Sequence, residues 1–163
     1  MEKREPIKRS KELVSLSRDH HDGLLLCWKI NAGISKGISA GRIGSYVVNF
    51  FDDSLAIHFE DEEQYVFSLL EPGNSNRKEA ELHHVRLREF VDSFRNSNPI
   101  TTLSLKSFSD LLNEHIRFEE RVLFNIIEQE ADSTKLKSVE ENLTNHSKCN
   151  TEWHDQFWLK ENE

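Results

Sequence analysis

The sequence lacks the features that would direct it to nucleic acid, to a membrane or to a disulfide framework. Its net charge is −8, so it has no surplus of basic residues, and we expect no binding to nucleic acid. No apolar run approaches the roughly 20 residues of a membrane-spanning helix, and no apolar signal core follows the charged start MEKREPIKRS. Cys27 and Cys149 form no CxxC pair, which predicts two reduced thiols in a cytoplasmic protein.

Strand-like alternation is also missing, and apolar residues instead recur with helical spacing. The pattern predicts four long helices at about 10–32, 45–70, 76–95 and 101–130. The Gly- and Ser-rich stretch GISKGISAGRIG from Gly33 reads as a loop, and Glu71-Pro72-Gly73-Asn74 and Asn96 to Pro99 read as breaks. We therefore predict an all-α protein, an antiparallel four-helix bundle with a short extra C-terminal helical segment. We expect residues 1–163 to form one domain, with the bundle core at about 10–130 and a helical tail over 131–163.

One short pattern occurs twice, once on the second and once on the fourth predicted helix. HFEDEEQYVFSLLE runs from His58 to Glu71, and HIRFEERVLFNIIE runs from His115 to Glu128. The histidine, two adjacent glutamates, one phenylalanine and the last glutamate coincide, and five further positions are apolar in both. The repeat indicates two similar helix pairs. Each copy places a histidine and a glutamate four residues apart, which puts both on one face of a helix.

In the fourth helix that face is predicted to point toward the core. Apolar residues follow the histidine at helical spacing, namely Phe118, Val122, Phe124, Ile126 and Ile127. A histidine and a glutamate on such a face require partners, because burying an unsatisfied polar group costs several kcal/mol.

The first and third helices each add a histidine on an apolar stripe. His20 follows Leu13 and Leu16, and His84 lies between Ala80 and Leu87. Their neighbours His21 and His83 remain alternatives, which the stripes place beside the site or at the surface. Spacing alone is weak evidence, because roughly one or two His-x-x-x-acid pairs arise by chance in a chain of this composition. The two pairs and the two added histidines indicate a site because they occur together.

The chemistry of this set favours a metal centre with two ions. Four imidazoles and two carboxylates are too many for one tetrahedral zinc, which takes three or four protein ligands. Two ions that share two bridging carboxylates would use all six side chains. Mixed imidazole and carboxylate ligation suits iron among the first-row metals, although affinity alone excludes neither zinc nor copper.

These residues resemble the hemerythrin family in its HHE cation-binding form. The resemblance covers about residues 13–130 and is clearest in LSRDHHDGL around His20 and HIRFEERVLF around His115. It implies a four-helix bundle around a non-haem di-iron centre bridged by oxide or hydroxide, which reacts with dioxygen, peroxide or nitric oxide. By the family pattern the metal ligands are His20, His58, Glu62, His84, His115 and Glu119. His20 and His58 would bind one iron, His84 and His115 the other, and Glu62 and Glu119 would bridge them.

One departure from the family bears on function. Oxygen-carrying hemerythrins have a further histidine one turn from the third-helix ligand, but here Ala80 and Arg88 occupy the positions on either side of His84. The missing imidazole weakens the interpretation as a reversible carrier and favours sensing, scavenging, peroxide chemistry or iron handling. Iron storage or repair, a module that senses oxygen or iron, and a metal-free bundle with buried polar networks are the alternatives.

Several other residues are predicted to lie outside the centre. Glu63 and Glu120 should turn away from the core into solvated or salt-bridged positions, and Glu81-x-x-His84 is interpreted as an incidental match to a ferritin-like motif. Cys27 is expected to be a small buried core thiol. His146 and His154 lie beyond the bundle and are expected to be structural or exposed. The aromatic residues Trp153, Phe157 and Trp158 should either cover one end of the bundle or bind a protein partner or a second copy of the chain.

Overall fold

The computed structural model of the protein describes residues 7–96, 99–143 and 152–160. His146 and Cys149 lie outside these ranges, as do parts of the predicted tail. Within the described ranges the regular structure is entirely helical, as predicted. The α-helices are α1 (Val14–Ser35), α2 (Ala40–Phe50), α3 (Ala56–Asp61), α4 (Ser75–Arg95), α5 (Thr102–Phe118), α6 (Phe124–Glu130) and α7 (Ser133–Asn142).

The seven α-helices join into four long helices and one short helix, because α2 continues into α3 and α5 continues into α6. The second long helix, residues 40–69, continues from α2 through a π-helical turn (Phe51–Leu55), α3, a second π-helical turn (Glu62–Val66) and a 3₁₀ turn. The fourth long helix, residues 102–130, joins α5 to α6 through the π-helical turn Glu119–Leu123. Residues at these junctions keep right-handed helical angles, so the helices do not break there.

Side-chain caps begin three of the helices. Asn74 accepts hydrogen bonds from the backbone amides of residues 76 and 77 at the start of α4. Thr101 and Ser104 form a reciprocal capping box at the start of α5, and Asp132 caps α7. These contacts satisfy amide groups that would otherwise have no partner in the first turn. The predicted break at residues 71–74 is thereby confirmed.

The predicted loop from Gly33 is wrong over most of its length. Helix α1 continues to Ser35 and α2 begins at Ala40, so only four residues connect them, with Gly37 at a φ of 70°. Gly33 lies inside α1 because it allows close packing: a Cβ at this position would lie 2.8 Å from the Phe157 ring. The small residues of this stretch therefore serve close contacts in addition to the turn.

Two apolar clusters fill the core of the bundle. The first apolar cluster includes Ile30, Val47, Phe59, Val91 and Leu112. The second apolar cluster includes Leu16, Phe67, Ala80, Phe124 and Ile127. Helix α1 runs from the second cluster to the first, the second long helix runs back, and α4 and the fourth long helix repeat this alternation. The arrangement is the predicted antiparallel four-helix bundle.

The π-helical turns displace the side chains that follow them. An α-helical register predicted Val122 on the core side, but 38% of Val122 is exposed, whereas Leu123 and Phe124 are fully buried. The extra residue of the turn Glu119–Leu123 causes this shift of one position. The equivalent residues of the repeat, Val66 and Phe67, are likewise fully buried. Both turns begin at a glutamate of the repeated pattern.

The described part of the C-terminal segment covers one end of the bundle. Phe157 is 5% exposed and belongs to the first apolar cluster, and Trp153 and Trp158 pack against that cluster. The Lys29 ammonium lies 4.0 Å from the centroid of the Trp158 ring, and Arg42 forms an ion pair with Asp155 at 2.7 Å. These contacts agree with the covering role predicted for the aromatic residues. Within the described ranges, each helix is too short or too polar to cross a bilayer.

The packing of Phe157 on α1 predicts opposite effects of two glycine substitutions. Gly33→Ala should lower the free energy of unfolding by about 1–3 kcal/mol, because the new Cβ collides with a rigid ring. Gly41→Ala is the matched control, since nothing lies within 4 Å of its Cβ position on the exposed side of α2, and it should stabilise by about 0.5–1 kcal/mol. Urea denaturation of both variants in the same metal state measures the difference. Equal stabilisation by both would contradict the described position of Phe157.

Candidate metal centre

The six side chains singled out in the sequence converge in one layer between the two apolar clusters. His20 comes from α1, His84 from α4, and the pairs His58–Glu62 and His115–Glu119 from the second and fourth long helices. His20 and His58 are 3% exposed, and the other four are not exposed at all. We call these six residues the polar layer.

Glu62 faces histidines from both halves of the bundle. The first half is α1 with the second long helix, and the second half is α4 with the fourth long helix. Its Oε1 lies 3.2 Å from Nε2 of His20 and 2.9 Å from Nε2 of His58. Its Oε2 lies 3.2 Å from Nε2 of His84. One carboxylate thus presents one oxygen to each half of the repeat.

Glu119 spans the halves in the same way. Its Oε2 lies 2.9 Å from Nε2 of His20, and its Oε1 lies 3.4 Å from Nε2 of His115 and 4.0 Å from Nε2 of His84. Two four-residue groups result, with ligand atoms within 4.8 Å of one another: His20, His58, Glu62 and Glu119, and Glu62, His84, His115 and Glu119. Both glutamates belong to both groups, so the two groups share both carboxylates.

The donor atoms of this layer fit metal ions better than they fit one another. Oε2 of Glu62 and both carboxylate oxygens of Glu119 are buried and receive no well-aligned hydrogen bond, although imidazole nitrogens lie as close as 2.9 Å. A buried carboxylate oxygen with no partner is costly, and a bound cation removes that cost. The imidazoles of His84 and His115 also bring their Nε2 atoms within 3.1 Å of each other. Six inward-facing donors of this kind form a suitable site for a pair of divalent ions.

The two carboxylates have opposite pKa shifts. Burial, together with the charge of Glu62, raises the pKa of Glu119 to about 7. For Glu62, burial is outweighed by the charge of His58 and by hydrogen bonds from nearby imidazoles, which lower its pKa well below the ordinary range. Without metal, one carboxylate therefore holds the negative charge and the other tends to keep its proton.

The imidazoles also differ in their pKa values. Burial lowers the pKa of His20 and His58, but neighbouring carboxylates outweigh it, so the pKa of His58 is raised to about 9 and that of His20 well above its ordinary value. Burial and the charge of His84 lower the pKa of His115 well below its ordinary value. Protons on His20 and His58 partly balance the buried carboxylates, and a metal ion would displace them.

The outward-facing Nδ1 atoms of His20 and His84 contact carboxylates. Nδ1 of His20 lies 2.7 Å from Oε1 of Glu120, and Nδ1 of His84 lies 2.7 Å from Oε1 of Glu63. Glu63 and Glu120 are the second glutamates of the repeated pattern, and each reaches across to a histidine of the other half. Their prediction as solvated or salt-bridged groups missed these contacts, which fix ring orientation and tautomer.

Residues immediately before His20 and His84 contact the other two imidazoles. Nδ1 of His58 lies 3.0 Å from Oδ2 of Asp19, and Nδ1 of His115 lies 3.4 Å from Nδ1 of His83. His83 is 5% exposed, so of the two positions predicted for it, beside the site or at the surface, the structure shows the first. His21 lies on the exposed side of α1.

Two arginines hold the carboxylates that contact His20 and His84. Arg9 forms an ion pair with Glu120 at 3.0 Å, and Arg88 forms one with Glu63 at 2.6 Å. The side chain of Arg9 is only 4% exposed. Neither contact has a local sequence signal, because the partners are 111 residues apart in the Arg9 pair and 25 residues apart in the Arg88 pair.

The remaining candidates lie apart from the polar layer. Ala80 packs in the second apolar cluster and Arg88 binds Glu63, so neither position beside His84 offers a fifth imidazole. Glu81 pairs with Arg77 at 2.7 Å, consistent with an incidental motif match.

Cys27 and His154 have the surroundings expected of them. Cys27 is buried, it donates to the Ser109 carbonyl, and burial raises the pKa of its thiol to about 11. His154 is exposed.

Comparisons with known proteins agree with this geometry. The hemerythrin HHE cation-binding domain model matches residues 12–127, a range that contains the whole polar layer. No match was found among curated proteins or among solved structures. Since the family match covers well over half of the chain, the protein belongs to the hemerythrin HHE cation-binding domain family.

Proposed function

We propose that this protein holds two iron ions in the polar layer and that the centre binds or reacts with dioxygen or a related small molecule such as peroxide or nitric oxide. The observation that carries the proposal is that Glu62 and Glu119 each face both halves of the bundle with buried oxygens that receive no well-aligned hydrogen bond. A single ion would leave one half of the donors unsatisfied.

We assign the ligands as follows. His20 and His58 hold one ion, His84 and His115 hold the other, and Glu62 and Glu119 bridge them. The individual oxygens support this division. Oε1 of Glu62 and Oε2 of Glu119 face His20, whereas the other oxygen of each carboxylate faces His84. Imidazole and carboxylate donors together suit iron. A pair of iron ions supplies electrons for binding or reducing a small oxidant.

The surrounding residues set the conditions for that chemistry. The apolar clusters on both sides exclude bulk water from the polar layer, which strengthens electrostatic interactions inside it. Glu120, Glu63, Asp19 and His83 orient the four imidazoles through their Nδ1 atoms. The absence of a fifth imidazole beside His84 favours a reactive or sensing centre over a reversible oxygen carrier.

Iron handling and sensing remain alternatives that use the same ligands. Iron storage or repair requires that iron leave the centre readily, whereas sensing requires a partner that responds to its state. The described rings of the C-terminal segment pack inward on the first apolar cluster, so an interaction through that segment stays a prediction. The one-domain organisation over residues 1–163 also stays a prediction.

The direct test is metal analysis of protein that is purified without oxygen, with optical spectra before and after exposure to air. We expect two iron ions per chain and a new absorption band of a bridged ferric pair in air. Reversal of the band on removing oxygen would identify a carrier, and its persistence would indicate oxidation chemistry. Release of most of the iron to a chelator within minutes would favour iron handling. Stable binding of a single zinc in the presence of iron would contradict the proposal.

Substitutions at Glu119 test its role as a bridge. Bound iron should fall least in His20→Ala, further in Glu119→Gln and most in Glu119→Ala. His20→Ala removes one ligand from one ion, Glu119→Gln keeps one oxygen but loses the charge, and Glu119→Ala removes a ligand from both ions. Iron per chain is measured at equal folded fraction, and Glu130→Ala on the exposed end of α6 is the control. Full iron occupancy in Glu119→Ala would show that this residue is no bridge.

A further inference from the structure

The contacts behind the four imidazoles follow the same internal repeat as the imidazoles themselves. Glu120 of the second half contacts His20 of the first, and Glu63 of the first half contacts His84 of the second, both at 2.7 Å. Each of these carboxylates also pairs with an arginine, Arg9 for Glu120 and Arg88 for Glu63. In these contacts the two halves are matched in chemistry and in charge.

The rings stacked near these histidines are matched too. The Phe124 ring centroid lies 5.4 Å from that of His20, and the Phe67 ring centroid lies 5.2 Å from that of His84. Phe67 and Phe124 occupy the same position of the repeated pattern. The exception is Phe59, which stacks on His84 at 3.9 Å and is replaced by Ile116 in the other copy.

The contacts of His58 and His115 break this match. In each half, the contact comes from the residue immediately before the histidine of that half's first helix. That residue is Asp19 in the first half, 3.0 Å from Nδ1 of His58, but His83 in the second half, 3.4 Å from Nδ1 of His115. The repeat thus has a carboxylate at one position and an imidazole at its equivalent.

The acceptor behind Nδ1 affects a bound metal through the proton that Nδ1 carries. An imidazole that binds a metal through Nε2 keeps its proton on Nδ1 and donates it to whatever lies behind. A carboxylate acceptor increases the electron density at Nε2 and so strengthens the bond to the metal. A neutral imidazole acceptor at 3.4 Å does so much less, because the contact is longer and carries no charge.

We propose that His83 is a positioning residue that makes the two metal positions electronically unequal, with the ion between His84 and His115 bound more weakly and at a higher reduction potential than the ion between His20 and His58. This inference rests on the proposed di-iron function. It concerns two positions that have the same number and kinds of ligands, so the inequality arises from the residues behind the ligands.

Charges near His83 do not restore the balance. The charges of Glu114 and Glu79 both act on His83. Glu114 is exposed to solvent, and Glu79, one turn earlier on α4, approaches Nε2 of His83 only to 4.0 Å with its side chain 51% exposed. Asp19 is itself 42% exposed, so water screens part of its charge. The difference between Asp19 and His83 as hydrogen-bond acceptors is therefore moderate. We expect the metal affinities of the two positions to differ by on the order of tenfold, which is the lower end of the effects known for groups behind metal ligands.

Mössbauer spectra of the fully reduced, iron-loaded protein test this inference. The wild type should give two quadrupole doublets of equal area. His83→Asp, which copies the arrangement of Asp19, should bring the doublets together, lower the reduction potential and tighten the weaker site about tenfold. His83→Asn is the matched control, because its amide oxygen accepts the same hydrogen bond without a charge, and its doublets should stay apart.

Asp19→Asn is a second, independent variant at a partly exposed position, which makes a folding failure less of a concern. It should also bring the doublets together, but by raising the potential of the other ion, since both acceptors are then neutral. Two bound irons with a single doublet in the wild type, or doublets unchanged in both His83→Asp and Asp19→Asn, would overturn this inference and leave the proposed function standing. Wild-type protein that binds no iron pair would overturn both.

Discussion

The structure depends on placing six ionisable side chains in a dry layer between two apolar clusters. Four imidazoles and two carboxylates occupy the middle of the bundle, and none of them is more than 3% exposed. Burying such groups without partners would cost more than the few kcal/mol by which a domain of this size is stable. Protons on His20 and His58 supply part of the balance in the metal-free protein, but three carboxylate oxygens still receive no well-aligned hydrogen bond. The proposed pair of cations would satisfy the whole layer at once.

Much of the surrounding architecture serves this layer. Arg9 holds Glu120, which orients His20, and Arg88 holds Glu63, which orients His84. Two of the three described π-helical turns begin at Glu62 and Glu119 and turn the residues after them into the second apolar cluster. Such turns are frequent at functional sites, where one extra residue re-aims the side chains that follow. The two ends of the bundle are therefore held together by apolar packing, whereas the middle is held together by ion pairs and hydrogen bonds around the polar layer.

The sequence predicted the four helices and the six residues of the layer because both depend on local spacing. His-x-x-x-Glu within an apolar helix places two donors on one face, and its repetition on two helices brings the donors together. Contacts between distant residues could not be predicted in this way, as for Arg9 and Glu120, which are 111 residues apart. The outward position of Val122 was missed because a π-helical turn leaves no clear signal in composition. Gly33 was misread as part of a loop because glycine serves close packing as well as turns, and only the position of Phe157 distinguishes the two.

We infer that Glu62 and Glu119 hold two metal ions side by side. X-ray absorption at the iron edge of the loaded protein measures this directly, because a neighbouring iron scatters strongly at a characteristic distance. We expect a metal–metal distance of about 3–4 Å, the separation typical of two-metal sites. A spectrum of fully loaded protein that shows nitrogen and oxygen neighbours but no second iron within that distance would contradict it.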